Sequence, residues 1–162
     1  KSHPGDAFLI FSSTGFNVTV VEVALLAKLM GLPVVAVTSV QHTDATPSRH
    51  PSGRKLAEIA DTTIDNCSPP GDAVTDIEGV PFKVGPVSSI GAIAVVNALK
   101  TRTAELLAQR GVIPTVLTSP HFVGSAVGDE QLERVYEEYF RRVRLAYDSE
   151  GAVAVPDSWE GS

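Results

Sequence analysis

The sequence predicts an α/β domain of the doubly wound type, in which helices cover a parallel sheet. Short runs rich in β-branched residues alternate with longer helical patterns along the chain. Glycine follows two of the helical patterns, at Gly31 and Gly111, where it is a favoured stop. The chain has 162 residues, enough for one domain with a sizeable core. We therefore expect one domain over residues 1–150 and a tail over residues 151–162.

The first half of the chain contains three predicted strands. Val34–Thr38 is rich in valine, as expected for a strand buried on both faces. The helical pattern of Val18–Met30 is apolar almost all round, which predicts a helix with little exposed surface. Polar residues, two prolines and two histidines predict a loop over Gln41–Gly53. The remaining predicted elements of this half are the strands Ala7–Phe11 and Thr62–Asp65 and the short helix Lys55–Ala60.

The second half of the chain is mainly helical by pattern. Glycine, proline and aspartate predict a long surface excursion over Asn66–Lys83. Ser88 or Ser89 can cap a helix that runs to Arg110, with an apolar centre. Pro114–Thr118 is predicted as a fourth strand, Gln131–Tyr147 as an amphipathic helix and Gly151–Ser162 as a frayed tail.

Composition excludes several classes of protein and site. With 43% apolar and 20% charged residues the chain is globular, and its net charge of −6 argues against nucleic-acid and membrane partners. The single cysteine, Cys67, allows no internal disulfide and no cysteine zinc cage. Thr19, Glu22 and Lys28 interrupt the longest apolar run, and we find no signal-peptide pattern. These features predict a cytoplasmic protein with no metal ion and no cofactor.

The segment Ser12–Asn17 lies between a predicted strand and a predicted helix. Backbone N–H groups at the start of a helix have no intrahelical partners, and the helix dipole adds positive charge there. The hydroxyls of Ser12, Ser13 and Thr14 can each donate a further hydrogen bond, which suits an anion such as phosphate. The alternative is that these residues only cap the helix, because Ser, Thr and Asn are favoured caps.

The same segment resembles the phosphosugar-binding signature of sugar isomerase (SIS) domains, strand–Ser-x-Ser-Gly-x-Thr–helix. It reads Ser12-Ser13-Thr14-Gly15-Phe16-Asn17, with Thr for the second Ser and Asn for the final Thr. The resemblance continues through Val37-Thr38-Ser39 and through Ser48-Arg49-His50-Pro51-Ser52-Gly53, its most distinctive part. Gly71-Asp72-Ala73 and Gly85-Pro86-Val87-Ser88-Ser89 extend it, so that it covers roughly residues 5–125 and points to an uncharacterised branch of the family.

The resemblance implies a flavodoxin-like three-layer αβα sandwich, a sugar-phosphate ligand and a homodimer or higher homo-oligomer. SIS domains usually begin with a long helix and a first strand that ends in a Gly-x-Gly-x-Ser loop, and this sequence begins almost on the second strand. We therefore expect an N-terminally incomplete SIS domain. From Gly128 onward little of the sequence matches the family.

Aldose–ketose isomerisation needs a base that moves a proton between adjacent carbons. The candidates for this role are Glu22, His42 and His50, although Glu22 could also be a solvated glutamate and a loop histidine is often merely exposed. Arg49 could bind phosphate or pair with Asp44. The residues expected to bind the phosphosugar are Ser12, Ser13, Thr14, Gly15, Asn17, Thr38, Ser39, Ser48, Arg49, Ser88 and Ser89.

The predicted function is therefore a phosphosugar-binding protein with isomerase or related sugar-phosphate activity. The alternative is a regulatory module that senses a phosphosugar without turning it over. A nucleotide-binding domain fits less well, because no Gly-x-Gly-x-x-Gly follows any predicted strand.

Overall fold

The structure is a computed structural model, and it describes residues 2–147, with side chains described as far as Arg144. The predicted tail Gly151–Ser162 lies outside the described residues. The described residues divide into two compact units, residues 2–98 and residues 99–147. No helix in the described part of the chain combines the length and the apolar character that crossing a bilayer requires.

A three-stranded parallel sheet forms the centre of the first unit. Its strands are β1 (Phe8–Phe11), β2 (Val34–Thr38) and β3 (Thr62–Asp65), in the spatial order β1-β2-β3. Phe11 pairs with Val37, and Thr38 pairs with Asp65. Because the strands are parallel, their carboxyl ends lie at one edge of the sheet, where ligand loops collect in α/β proteins.

The core lies between β2 and two helices of the first unit. The helices that connect the parallel strands are α1 (Val18–Leu29), α2 (Val40–Ala45) and α3 (Leu56–Ile59). The small side chains Ala24 and Ala27 let α1 approach β2 closely, and Leu56 of α3 fills the space beside them. Val18, Val23 and Leu29 remain exposed, so the prediction of a nearly buried α1 is wrong: only one of its faces meets the sheet.

A hairpin and the start of a long helix complete the first unit. The hairpin pairs β4 (Ala73–Thr75) with β5 (Val84–Pro86), so the predicted excursion Asn66–Lys83 contains a strand. Helix α4 (Ser88–Gln109) follows, and none of its residues is buried. At Gly91 a β-carbon would stand 2.4 Å from the carbonyl oxygen of Asn66, so glycine permits the close approach of α4 to the end of β3.

The second unit contains the remainder of α4 and two further helices, α5 (Pro120–Val123) and α6 (Ser125–Tyr147). Glu138 of α6 accepts hydrogen bonds from Arg141 and Arg142, which lower the pKa of Glu138 to about 2. These pairs are typical of a solvated helix face.

Two further predicted elements differ from the structure. Residues 112–119 contain no regular structure, so the strand predicted at Pro114–Thr118 is wrong. A strand requires a hydrogen-bonded neighbour, and Pro114 has no N–H to donate. The sequence predicts a loop over Gln41–Gly53, but the first residues of this segment belong to α2. The Ser39 side chain accepts a hydrogen bond from the His42 N–H and caps this helix, although the helix has a polar sequence typical of a loop.

Candidate phosphate-binding site

The Ser12–Asn17 segment, which we call the phosphate loop, joins the carboxyl end of β1 to the start of α1. The carbonyl oxygens of four consecutive loop residues accept hydrogen bonds from the surrounding structure. The donors are Ser39 N and Thr38 Oγ1 to Ser13, Thr43 Oγ1 to Thr14, Leu56 N to Gly15, and Arg49 N to Phe16. Carbonyl oxygens repel an anion, and here they are turned into the protein.

The donor groups of the phosphate loop are less occupied. The described hydrogen bonds include no acceptor for the backbone N–H groups of Ser13, Thr14, Phe16 and Asn17. The Ser12 hydroxyl accepts from Gly15 N at 3.1 Å, and the Thr14 hydroxyl accepts from Asn17 Nδ2 at 3.4 Å. Both hydroxyls act as acceptors within the loop, so their protons remain available to donate to an anion.

The capping alternative fails for Asn17, the residue at the helix start. Asn17 occupies the cap position of α1, and its side chain makes no capping hydrogen bond. The first intrahelical bond of α1 runs from Val21 N to the Asn17 carbonyl oxygen at 3.1 Å. The amino end of α1 therefore presents uncapped N–H groups beside the loop, the arrangement that binds anions in other proteins.

Ser88 and Ser89 lie beside the phosphate loop and line a cavity with it. A cavity of about 130 Å³ is lined by Ser12, Ser13, Ser88 and Ser89, together with Asn66 and apolar neighbours. The Asp72 carboxylate accepts hydrogen bonds from the Ser88 N–H at 2.7 Å and from the Ser88 hydroxyl at 2.6 Å. These bonds, led by the one from the Ser88 side chain, lower the pKa of Asp72. The structure thus brings together four of the predicted binding residues.

Two of the predicted catalytic residues are in direct contact. His50 Nε2 lies 2.8 Å from Glu22 Oε1, although 28 positions separate the two residues in the sequence. The His50 side chain is completely buried, whereas the Glu22 side chain is 32% exposed. Glu22 is therefore neither a fully solvated glutamate nor unpartnered, and His50 is not an exposed loop histidine.

The side chains of His42 and Arg49 both lie near the ring of Phe16. The His42 ring centroid is 6.3 Å from that of Phe16, and its buried Nδ1 atom has no hydrogen-bond partner among the described residues. The Arg49 guanidinium lies over the Phe16 ring, 5.1 Å from its centroid, a cation–π contact. The described ion pairs do not include the predicted alternative, a pair of Arg49 with Asp44.

Three other predicted binding residues have hydroxyls that are engaged within the protein. Thr38 and Ser39 are fully buried beneath the loop, where Thr38 contacts Thr43 and Ser39 donates to the Ser68 carbonyl oxygen. The Ser48 hydroxyl donates to the Arg54 carbonyl oxygen at 2.7 Å and accepts from His50 N. These side chains shape the loops that surround the site.

Sequence reasoning missed four residues that hold the site together: Thr43, Ser52, Ser68 and Asp72. The contacts of Thr43, Ser68 and Asp72 join segments far apart in the chain, which no local pattern reveals. The Ser-Arg-His-x-Ser-Gly stretch did contain one usable signal, because a serine two residues after a histidine can reach its ring. Among the described residues, no group of three or more His, Cys, Asp or Glu side chains is arranged to hold a metal ion.

Comparison with known proteins adds to this geometry. Residues 1–39 match the family model described as SIS domain, a match that includes the phosphate loop and β2. The chain is 38% identical over 138 residues to a UPF0309 protein of Geobacillus thermodenitrificans, which covers 85% of this chain and 54% of the relative. It is 37% identical over 139 residues to a UPF0309 protein of Streptomyces coelicolor, which covers 86% of this chain and 54% of the relative.

The chain thus spans about half the length of these curated relatives. The relatives carry only the name UPF0309, which states no ligand and no reaction. The resemblance predicted from the loops is confirmed: residues 1–39 match the SIS domain, and most of the chain is similar to the UPF0309 proteins.

Proposed function

We propose that the chain binds a sugar phosphate, with the phosphate group at the phosphate loop, and isomerises the sugar between its aldose and ketose forms. One observation carries the binding part of this proposal. The carbonyl oxygens of four consecutive loop residues accept hydrogen bonds from within the protein. Most of the loop N–H groups and the hydroxyl protons of Ser12 and Thr14, by contrast, are available to donate to a ligand at the uncapped end of α1. Such a loop favours an anion and disfavours a cation.

The isomerase part of the proposal is supported by the Glu22–His50 pair. Glu22 lies in the second turn of α1, one turn beyond the phosphate loop, so a sugar whose phosphate is at the loop can extend toward it. Isomerisation of an open-chain aldose breaks the C2–H bond, whose electron pair forms the enediol while the carbonyl oxygen gains a proton. The hydroxyl at C2 then loses its proton and a C1–H bond forms, so no oxidant or cofactor is consumed.

We also propose that residues 1–150 belong to one N-terminally incomplete domain with a flavodoxin-like three-layer αβα sandwich fold. The core side chains of α1 and α3 pack against one face of the sheet. On the other face Leu9 and Phe11 are exposed, and Phe11 lines a cavity with Ala92 and Ile93 of α4. The single exposed cysteine, Cys67, fits a reducing compartment, which supports a cytoplasmic location.

Calorimetric titration with matched ligands tests the proposed function. The ligands are aldose and ketose phosphates, the same sugars without phosphate, and inorganic phosphate. We expect binding of at least one sugar phosphate, weak binding of inorganic phosphate and none of the unphosphorylated sugars. Turnover is then followed by NMR of the bound sugars. If no phosphorylated ligand binds, the assignment is wrong; if one binds without turnover, the protein is a sensing module and not an isomerase.

A further inference from the structure

The His50 ring is hydrogen-bonded at both of its nitrogens inside the protein. Its Nε2 atom lies 2.8 Å from Glu22 Oε1. Its Nδ1 atom lies 3.1 Å from the backbone nitrogen of Ser52 and 2.7 Å from the Ser52 hydroxyl. Because the ring is completely buried, these contacts and not water decide where its proton is held.

The backbone N–H of Ser52 can only donate a hydrogen bond. Nδ1 must therefore be the acceptor, which places the ring proton of a neutral histidine on Nε2. The Ser52 hydroxyl is consistent with this assignment, because it accepts a hydrogen bond from Arg54 N at 3.3 Å and keeps its own proton to donate to Nδ1. A proton on Nδ1 would instead face the Ser52 N–H, two donors 3.1 Å apart.

The tautomer determines which member of the Glu22–His50 pair donates the hydrogen bond between them. A ring that carries its proton on Nε2 donates to Glu22, and the carboxylate accepts. Glu22 is the partially exposed member of the pair, whereas His50 is enclosed, so only Glu22 can touch a ligand. Among the described contacts Glu22 Oε2 has no partner, and this oxygen is available to accept a proton from a substrate.

We propose that Ser52 fixes His50 as its Nε2–H tautomer, and that His50 in turn orients Glu22 as the base that accepts the substrate proton. His50 and Ser52 are positioning residues, and Glu22 is the catalytic residue. The role of Glu22 as a base rests on the proposed isomerase function. The tautomer does not, because it follows from contacts within the protein.

Nitrogen-15 NMR of the histidine rings tests the tautomer without any ligand. We expect an unprotonated nitrogen at Nδ1 and a protonated nitrogen at Nε2 of His50, at neutral pH. Substitution Ser52→Ala removes the hydroxyl and keeps the backbone N–H, so the same tautomer should persist. An Nδ1–H tautomer in the wild-type chain, or an imidazolium ion with both nitrogens protonated, would overturn the proposal.

Two histidine variants test the positioning role. His50→Gln retains a donor that can reach Glu22, whereas His50→Ala removes it. The measurement is deuterium uptake from D2O at the carbon next to the carbonyl of aldose phosphates. We expect His50→Ala to slow uptake by about 100-fold, the effect of a displaced catalytic group, and His50→Gln to recover most of that loss. Affinity for the sugar phosphate should stay unchanged in both variants.

Glu22→Gln should abolish uptake and leave binding intact. Equal uptake by His50→Gln and His50→Ala, with both folded by circular dichroism, would contradict the positioning role. If no aldose phosphate exchanges its proton on the wild-type chain, the isomerase function fails. The NMR result then still decides which tautomer His50 adopts.

Discussion

A β-carbon added to Gly15 would stand 3.1 Å from Thr38 Oγ1, at the point where the phosphate loop rests on the end of β2. The same β-carbon would be 3.2 Å from Thr43 Oγ1. Gly15 also has a positive φ of 64°, a left-handed conformation that side chains rarely adopt. The glycine is therefore required on the inner side of the loop, where the loop packs on buried hydroxyls, and not only to admit a ligand.

Gly15→Ala should destabilise the chain for two reasons, and a second glycine separates them. Gly31 has a φ of 72° and no neighbour within 4 Å of an added β-carbon. Gly31→Ala should therefore cost only the left-handed penalty of about 1–2 kcal/mol in free energy of unfolding. Gly15→Ala should cost more, because the Thr38 and Thr43 hydroxyls must move. Urea denaturation of both variants measures the difference, and equal losses would show that the loop has room for a methyl group.

The phosphate loop itself could be predicted from sequence because its signal is local. A buried strand, a run of hydroxyl residues around a glycine, and an apolar helix follow one another within a short stretch. The scaffold beneath the loop could not be predicted in this way. Thr43, Leu56 and Ser68 reach it from other segments, and only the folded chain shows which hydroxyls point inward.

The two largest errors in the predicted elements have a common physical origin. Pro114–Thr118 has strand composition, but strand formation depends on a neighbouring strand that composition does not supply. The segment Val40–Ala45 has loop composition, yet a single hydroxyl at Ser39 caps it as a helix. In both places tertiary or capping contacts outweigh the intrinsic preference of the residues.

Removing donors from the phosphate loop should weaken ligand binding. Ser12→Ala and Thr14→Ala each delete a hydroxyl whose proton is available to an anion. We expect each change to weaken sugar-phosphate binding by about 1.5–3 kcal/mol, the range for hydrogen bonds to charged groups. The matched control is Ser125→Ala, an exposed serine of α6, which should leave the affinity unchanged. Unchanged affinity in the loop variants would show that the phosphate binds elsewhere.

The Asp72 carboxylate should make the stability of the chain dependent on pH. Hydrogen bonds, chiefly from Ser88, keep its pKa lower in the folded state than the value of about 3.9 in an unfolded chain. Such a group stabilises the fold above the unfolded pKa, and the contribution is lost as pH falls through the folded pKa. Between about pH 5 and pH 3 the free energy of unfolding should therefore fall.

Asp72→Asn isolates this contribution. We expect a flatter pH dependence in the same range and, at pH 7, a loss of about 1 kcal/mol, as for other groups that satisfy the N–H groups at a helix start. Asp76→Asn is the control, because Asp76 lies in the same hairpin and its ion pair is with the exposed Lys83 at 3.3 Å. Urea denaturation across pH tests this prediction, and identical slopes for the two variants would contradict it.

Self-association is a further prediction, made from apolar surface. Ile90 and Ile93 at the start of α4 are 67% and 62% exposed, and Val18, Val23 and Leu29 of α1 are also exposed. We expect a homodimer or higher homo-oligomer that covers part of these helices. Ile93→Glu should shift the chain toward monomer in sedimentation velocity, whereas Ile113→Glu, the same change at an even more exposed isoleucine in the second unit, should not. A monomer at micromolar concentration in the wild-type chain would count against this prediction.

The last prediction concerns whether Arg49 binds phosphate at the site of its own chain or at the site of a partner subunit in such an oligomer. Its backbone N–H donates to the Phe16 carbonyl oxygen at 3.2 Å, and its guanidinium lies over the Phe16 ring, so the segment after α2 contacts the phosphate loop of the same chain. We therefore expect Arg49 to contribute to phosphate binding within its own chain. Arg49→Ala should weaken sugar-phosphate binding by about 1.5–3 kcal/mol, the range for a charged hydrogen bond.

Arg54→Ala is the matched control for Arg49→Ala, because its guanidinium donates to the Glu58 carbonyl oxygen at 2.9 Å within the same segment. That change should leave the affinity near the wild-type value. Mixing Arg49→Ala chains with Ser12→Ala chains then separates the two arrangements. A site formed within one chain stays impaired in the mixture, because every chain carries one defect. Recovery of binding in the mixed oligomer would show that Arg49 reaches the phosphate loop of a partner, and no effect of Arg49→Ala at all would remove this segment from the site.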